Sequence, residues 1–102
     1  METLDHIHIG GRKRVKPEEV IMFQADLNYS IVHFMGGRKV VVATTLKKLE
    51  DRFKPFDFVR MNKQYLINQS YIVEDNGNTL KMANAVDITF SRRKGKAWRD
   101  MH

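Results

Sequence analysis

The sequence predicts a mostly β fold with one amphipathic helix. Short runs of β-branched and aromatic residues recur at spacings of about 8–12 residues, the rhythm of an all-β domain rather than of alternating strands and helices. Gly10-Gly11, Gly36-Gly37 and Asn76-Gly77 fall between such runs, where tight turns call for backbone angles that side chains resist. One stretch alone carries a clear helical repeat of apolar residues, Leu46, Leu49 and Phe53.

The elements follow in order. Leu4 to Gly10 alternates, with Leu4, His6 and His8 on one face and Asp5, Ile7 and Ile9 on the other, and predicts a first strand. Gly10-Gly11 turns it and Arg12 to Val15 returns. Pro17-Glu18-Glu19 sets a turn, since the proline ring fixes φ at its start. Val20 to Gln24 is a buried strand, Ala25 to Asn28 a polar break, and Tyr29 to Met35 a strand rich in β formers. After the Gly36-Gly37 hairpin, Arg38 to Ala43 returns, and the β-branched Val40-Val41-Val42 disfavours helix there. The helix covers residues 45–53, with a threonine as N-cap and Lys47, Lys48, Glu50 and Asp51 facing water. Pro55 closes it, and Phe56 and Phe58 follow as core anchors. Val59 to Ile67 reads as one strand and Tyr71 to Val73 as the next. Asp75-Asn76-Gly77-Asn78 predicts a type I′ hairpin leading into Thr79 to Met82, with Val86 to Phe90 after it. Ser91 caps a short C-terminal helical turn running through Arg93 toward Trp98.

The chain has 102 residues, of which 42% are hydrophobic and 29% charged, so it fits one globular domain (1–102) able to bury one modest core. No apolar run approaches the roughly 18 residues that span a bilayer. The N-terminus lacks the basic and apolar regions of a secretory signal. With no cysteine, disulfides and thiolate metal sites are excluded, and a cytoplasmic location fits. His6 and His8 share a strand face but have no further ligands at matching spacing, so no metal is expected. Lys and Arg number 18 against 12 Asp and Glu, a net charge of +6 that favours a polyanionic partner. The basic residues concentrate in Arg12 to Lys16 and in Arg92, Arg93, Lys94, Lys96 and Arg99, which suggests two contact surfaces and, for the first, a patch that tracks a nucleic-acid backbone. There is no helix-turn-helix pair and no Cys/His grid. Asp26, Asp57 and Asp87 are scattered, no Ser/His/Asp spacing is apparent, and the glycine pairs lack a phosphate-loop pattern, so no enzyme is expected.

Phe53 to Ile72 reads FKPFDFVRMNKQYLINQSYI, with Phe58, Arg60, Tyr65, Leu66, Asn68 and Ile72 on the signature of the LytTR DNA-binding family. Upstream, IMFQADLNYSIVHF and the helix TLKKLEDRF resemble that family's earlier blocks, and ITFSRRK resembles its C-terminal one. The resemblance covers roughly residues 18–96 in four ordered blocks, with residues 1–17 as an added N-terminal hairpin. It implies an elongated arrangement of short antiparallel strands in small sheets, whose loops enter successive major grooves of duplex DNA. It further implies a transcriptional regulator, of the kind found in response regulators, that reads paired direct repeats, one domain per repeat. This chain would be a stand-alone version without a receiver domain. No cofactor is implied. The partners implied are double-stranded DNA and a second copy on the adjacent repeat, with no membrane segment in this chain.

Carried over onto this sequence, the family's base-contacting positions fall on Asn28, Lys63 and Arg93. Arg93 has a guanidinium that pairs with guanine N7 and O6, and Asn28 an amide that pairs with adenine. The competing roles are a solvent-facing or phosphate-bound arginine and an Asx turn. Lys63 stands where the family carries an arginine or asparagine, and it lacks the fork needed for bidentate pairing. Asn62 and Gln64 flank it as secondary contacts. Tyr29, Arg60, Ser91, Arg92, Lys94 and Lys96 are candidate backbone contacts, though Arg60 lies in a strand and could pair with an acidic neighbour. Asn68 is expected to be a buried amide serving loop backbone, and Trp98 a packing anchor. Two other readings stay open. A protein-interaction module would modulate a full-length regulator or membrane sensor, and an RNA binder would expose aromatics on a sheet face. Tyr29, Tyr65 and Tyr71 read instead as core residues.

Overall fold

The computed structural model describes residues 6–101. Its centre is a five-stranded antiparallel sheet in the order β5-β4-β3-β7-β6, built from β3 (Val20–Asp26), β4 (Tyr29–Phe34), β5 (Lys39–Val42), β6 (Phe58–Arg60) and β7 (Tyr65–Asn68). Side chains alternate across a strand, so a sheet buried on both faces needs apolar residues at nearly every position. β3 meets that demand with a bulge. Val20 pairs with Phe34 but Met22 pairs with His33, so Ile21 is the inserted residue. The bulge shifts the alternation. Val20 and Phe23 enter one core, while Ile21 and Met22 enter the other.

The first core is closed by α1 (Leu46–Phe53) and by the hairpin of β1 (Ile7–Gly10) and β2 (Lys13–Val15). Thr45 caps α1 by accepting from Lys48 N, and Leu46, Leu49 and Phe53 all face inward, as the spacing predicts. Gly10 lies so close to the rest of the chain that a Cβ there would sit 2.6 Å from Thr44 Oγ1, and its φ of +146° is open only to glycine. The second core is closed by a three-stranded sheet in the order β10-β9-β8, comprising β8 (Ile72–Asp75), β9 (Thr79–Met82) and β10 (Asp87–Thr89), together with α2 (Arg92–Met101). Leu80, Met82, Ile88 and Trp98 supply its inward face. The body measures 38 × 35 × 24 Å. The two smaller layers cover opposite faces of the central sheet.

Several expected elements change in detail. The first strand is found at Ile7–Gly10, and the expectation for Leu4 and Asp5 lies outside the described residues. The polar break at Ala25 shrinks to Leu27 and Asn28, since Ala25 and Asp26 still pair with Ser30 and Tyr29. The single strand expected over Val59 to Ile67 is two strands with a loop between them. The Asn76-Gly77 turn is not type I′. Gly77 has φ of +91° while Asn76 keeps a negative φ, and the Asp75 carboxylate takes the Gly77 N–H at 2.9 Å. The C-terminal turn extends into a ten-residue helix, with Ser91 Oγ accepting from Lys94 N at its start. Asn68 is buried as expected. Its Nδ2 donates to Val20 O and Pro17 O, and its Oδ1 accepts from Ser70 N.

Candidate nucleic-acid interface

The loop over residues 61–64 sits between β6 and β7 because side chains bend the backbone there. Asn62 Oδ1 accepts from Gln64 N at 2.8 Å and from Tyr65 N at 2.9 Å, which closes a local turn. Arg60 holds the loop from the opposite side. Its Nε donates to Asn62 O at 2.8 Å and its Nη2 to Lys63 O at 3.1 Å, while Nη1 faces Glu50 Oε1 of α1 at 3.4 Å. With two backbone carbonyls and a carboxylate around it, the Arg60 guanidinium is committed to the fold of the loop. The acidic neighbour foreseen for it is Glu50.

Two further bonds attach this loop to the segments that carry the other candidates. Asn62 Nδ2 donates to Thr89 O, at the end of β10, at 2.9 Å. Ala25 N donates to Gln64 O at 2.8 Å, near the β3–β4 turn that carries Asn28. Lys63, Ser91, Arg93 and Lys94 then line one open hollow of about 500 Å³ floored partly by Met61 and Ala97. Among the described residues, nothing engages the side chains of Asn28, Lys63 or Arg93, and all three are exposed. The Asx turn considered for Asn28 does not form. The preceding residue, Leu27, takes φ of +55° and projects into solvent with 95% of its surface exposed.

α2 presents two basic faces. Arg93 points toward the hollow beside the 61–64 loop. Arg92, Lys96 and Arg99, four and three residues apart, share the neighbouring face. They border a second hollow with Asn76, Gly77 and Asn78 of the β8–β9 turn. Arg99 Nη1 donates to Gly77 O at 2.8 Å, which ties that turn to the helix. The helix packs closely against Phe90, just after β10, because residue 95 is glycine. A Cβ there would lie 3.1 Å from the Phe90 ring.

The family model of the LytTr DNA-binding domain matches residues 10–102. The chain belongs to the LytTR family of DNA-binding domains. Its structure also resembles a solved LytTr DNA-binding domain from Bacillus cereus, in a chain described as a methyl-accepting/DNA response regulator. That likeness has a TM-score of 0.72 and 17% sequence identity, and covers 96% of this chain and 94% of the other. No curated protein matches. The LytTR domain is a DNA-binding fold, not a catalytic one. Among the described residues, no helix is long and apolar enough to cross a membrane.

On this LytTR scaffold the candidates from the sequence divide by geometry. Asn28, Lys63, Arg92, Arg93 and Lys96 have free polar ends, and Gln64 is exposed beside them. Ser91 is occupied as the cap of α2, and Arg60 and Asn62 are occupied in the loop. Tyr29 is 52% exposed beside Asn28, not the core residue expected, because residues 29, 31 and 33 of β4 turn away from the core that Val32 and Phe34 fill. Tyr65 and Tyr71 do pack against the second core. Arg99 joins the basic face of α2, a grouping that depends on the helix continuing past its first turn. The basic tip Arg12 to Arg14 lies elsewhere. It lines a hollow with Arg38, at the end of β4 away from Asn28. The six residues of β4 separate those ends by about 20 Å, taking roughly 3.3 Å per residue.

Proposed function

We propose that this domain binds duplex DNA sequence-specifically, as a transcriptional regulator, with Asn28, Lys63 and Arg93 reading base edges in the major groove. One observation carries the reading. Three exposed polar side chains without protein partners sit on a single loop, which carries Lys63, and on two segments joined to it by hydrogen bonds. Base reading needs donors held rigidly but left unsatisfied by the protein. Arg93 offers a fork to guanine, Asn28 an amide to adenine, and Lys63 a single-point donor. Tyr29, Gln64, Arg92, Lys94 and Lys96 border these groups and supply phosphate contacts, which position the protein and provide most of its affinity. Ser91, Arg60 and Asn62 act through the shapes they impose on their segments. One small domain offers limited contact surface, so two copies bind side by side on a repeat. Work on chromosomal DNA would place the protein in the cytoplasm. The chemistry requires no cofactor.

Selection of bound duplexes from a random library, with Arg93→Ala in parallel, tests this. The wild-type protein is expected to enrich a short motif recurring at a spacing of about one helical turn. The variant should lose preference at one position, a loss of about 1–3 kcal/mol of discrimination. If neither protein enriches a motif, base reading by this domain is wrong and a protein partner becomes the leading reading.

A further inference from the structure

Asn62 uses three of the four hydrogen-bonding positions of its amide, in two directions. The oxygen serves its own loop through Gln64 N and Tyr65 N. The nitrogen reaches Thr89 O, 27 residues away in sequence. Any short side chain with an acceptor oxygen could close the local turn. Only the amide donor adds the second bond, and that bond joins two layers of the molecule. The loop is anchored through Arg60 to Glu50 of α1, on the first-core side. Thr89 ends β10, on the second-core side, and α2 begins three residues later at Arg92.

We propose that Asn62 is a positioning residue for base recognition, and that its bond to Thr89 O sets the spacing between Lys63 and Arg93. The proposal rests on the DNA-reading assignment above. The mechanism is geometric. Lys63 moves with the loop, because Arg60 grips the carbonyls of Asn62 and Lys63. Arg93 moves with the end of β10, four residues after Thr89. The Asn62 amide links these two bodies directly at the rim of the hollow they share. Thr89 pairs only with β9, so its layer has no backbone ladder to the five-stranded sheet. Base readout tolerates displacements of only about 0.5 Å in its contacting groups. A tether at the rim therefore matters more to discrimination than to the stability of the fold. The bond is solvent-exposed, and water can replace it at Thr89 O at little cost.

Asn62→Ser separates the two functions. The serine hydroxyl can still accept from the loop N–H groups, but it is too short to reach Thr89. The measurement is affinity for three duplexes: the selected motif, the motif changed at the base pair that Arg93→Ala identifies, and an unrelated sequence. Asn62→Ser is expected to reduce the matched-to-changed ratio by about tenfold. Affinity for unrelated DNA, the salt dependence and the melting temperature should stay near wild type. In the Arg93→Ala background it should add no further loss at that position. Asn62→Asp keeps the acceptor and lacks the donor, so it must lose the same discrimination. Its added charge weakens all duplexes alike and cancels in the ratio.

Three results would overturn the proposal. An unchanged ratio means the bond positions nothing. Relaxed preference at a different base pair, additive with Arg93→Ala, means Asn62 itself contacts a base. Equal loss on all three duplexes with a lowered melting temperature means the residue is only structural. A wild-type protein that does not distinguish the duplexes at all would instead sink the DNA-reading assignment, and the tether's role with it.

Discussion

The two faces of the central sheet are packed with different materials. On the first, Phe23, Phe53 and Phe58 form a triangle of rings with centroids 4.8, 5.0 and 5.6 Å apart, covered by α1 and the β1–β2 hairpin. On the second, Met22, Met61 and Met82 share the core with Ile21, Ile67, Leu80, Ile88 and Trp98. Edge-to-face rings lock one another in place, whereas methionine fills gaps without fixing its neighbours. The proposed contact residue Arg93 hangs from the softer layer, while Asn28 and Lys63 extend from the central sheet. The proposed interface would therefore span a junction between an aromatic-packed layer and a methionine-rich one, and the bonds across that junction would decide whether it is a single surface.

The largest effect that would test this contrast is Phe53→Ala. The ring is fully buried and meets Phe23, Phe56 and Phe58. Its removal should cost about 3–5 kcal/mol, a large share of the roughly 5–15 kcal/mol available to a domain of this size. Urea unfolding gives the number. Below the transition, the ratio of affinities for matched and changed duplexes should match wild type. A changed ratio in a protein that is still folded would mean the aromatic face is part of the recognition machinery.

Trp98→Ala should act in the opposite way. Trp98 is 5% exposed, and its Nε1 donates to Asp75 Oδ2 at 2.9 Å, so it fastens α2 to the three-stranded sheet. Because Trp98 is the main apolar anchor of an otherwise basic helix, its loss is expected to loosen α2 locally and to cost less globally, about 2 kcal/mol. Amide exchange should speed up from Arg92 onward while β3 and β4 stay protected. Affinity for the matched duplex should fall more than stability would suggest. Uniformly faster exchange would mean the two layers form one cooperative unit and the contrast between them is illusory.

The same contrast explains what could be read in advance. α1 was legible because Leu46, Leu49 and Phe53 write its buried stripe directly into the sequence. α2 showed only its first turn, since Arg92, Arg93, Lys94, Lys96 and Arg99 leave it almost no apolar stripe. It is held by tertiary features, the Trp98 anchor and the approach of Gly95 to Phe90. The break after Arg60 was hidden for a similar reason. Strand formers run on both sides of it, and the loop is made by side-chain bonds, one of them to a residue 27 positions away. Local pattern cannot encode the Ile21 bulge either, because it is set by pairing with β4. The candidate site was therefore legible as a set of residue types, while the division between groups that face outward and groups that hold the loop required the fold.

The smallest effect separates the faces by charge. Gln24 and His33 lie on the second face, where His33 Nε2 meets Gln24 Oε1 at 2.9 Å, and His33 pairs across the strands with Lys39. Burial, and then the Lys39 ammonium, push the His33 pKa below its ordinary value of 6.5. The unfolded chain therefore takes up a proton at a higher pH than the folded one. Stability is fully present above about pH 6.5 and declines as the pH falls from there toward the folded pKa, below which the loss stops growing. His33→Gln removes the titration and keeps a polar partner for Gln24. Urea midpoints measured between pH 7.5 and 5 should fall less steeply in the variant than in wild type, while the two proteins bind the matched duplex alike at pH 7.5. Parallel pH profiles would mean that the imidazole is solvated well enough to titrate normally, and that the second face is more open to water at this point than its packing implies.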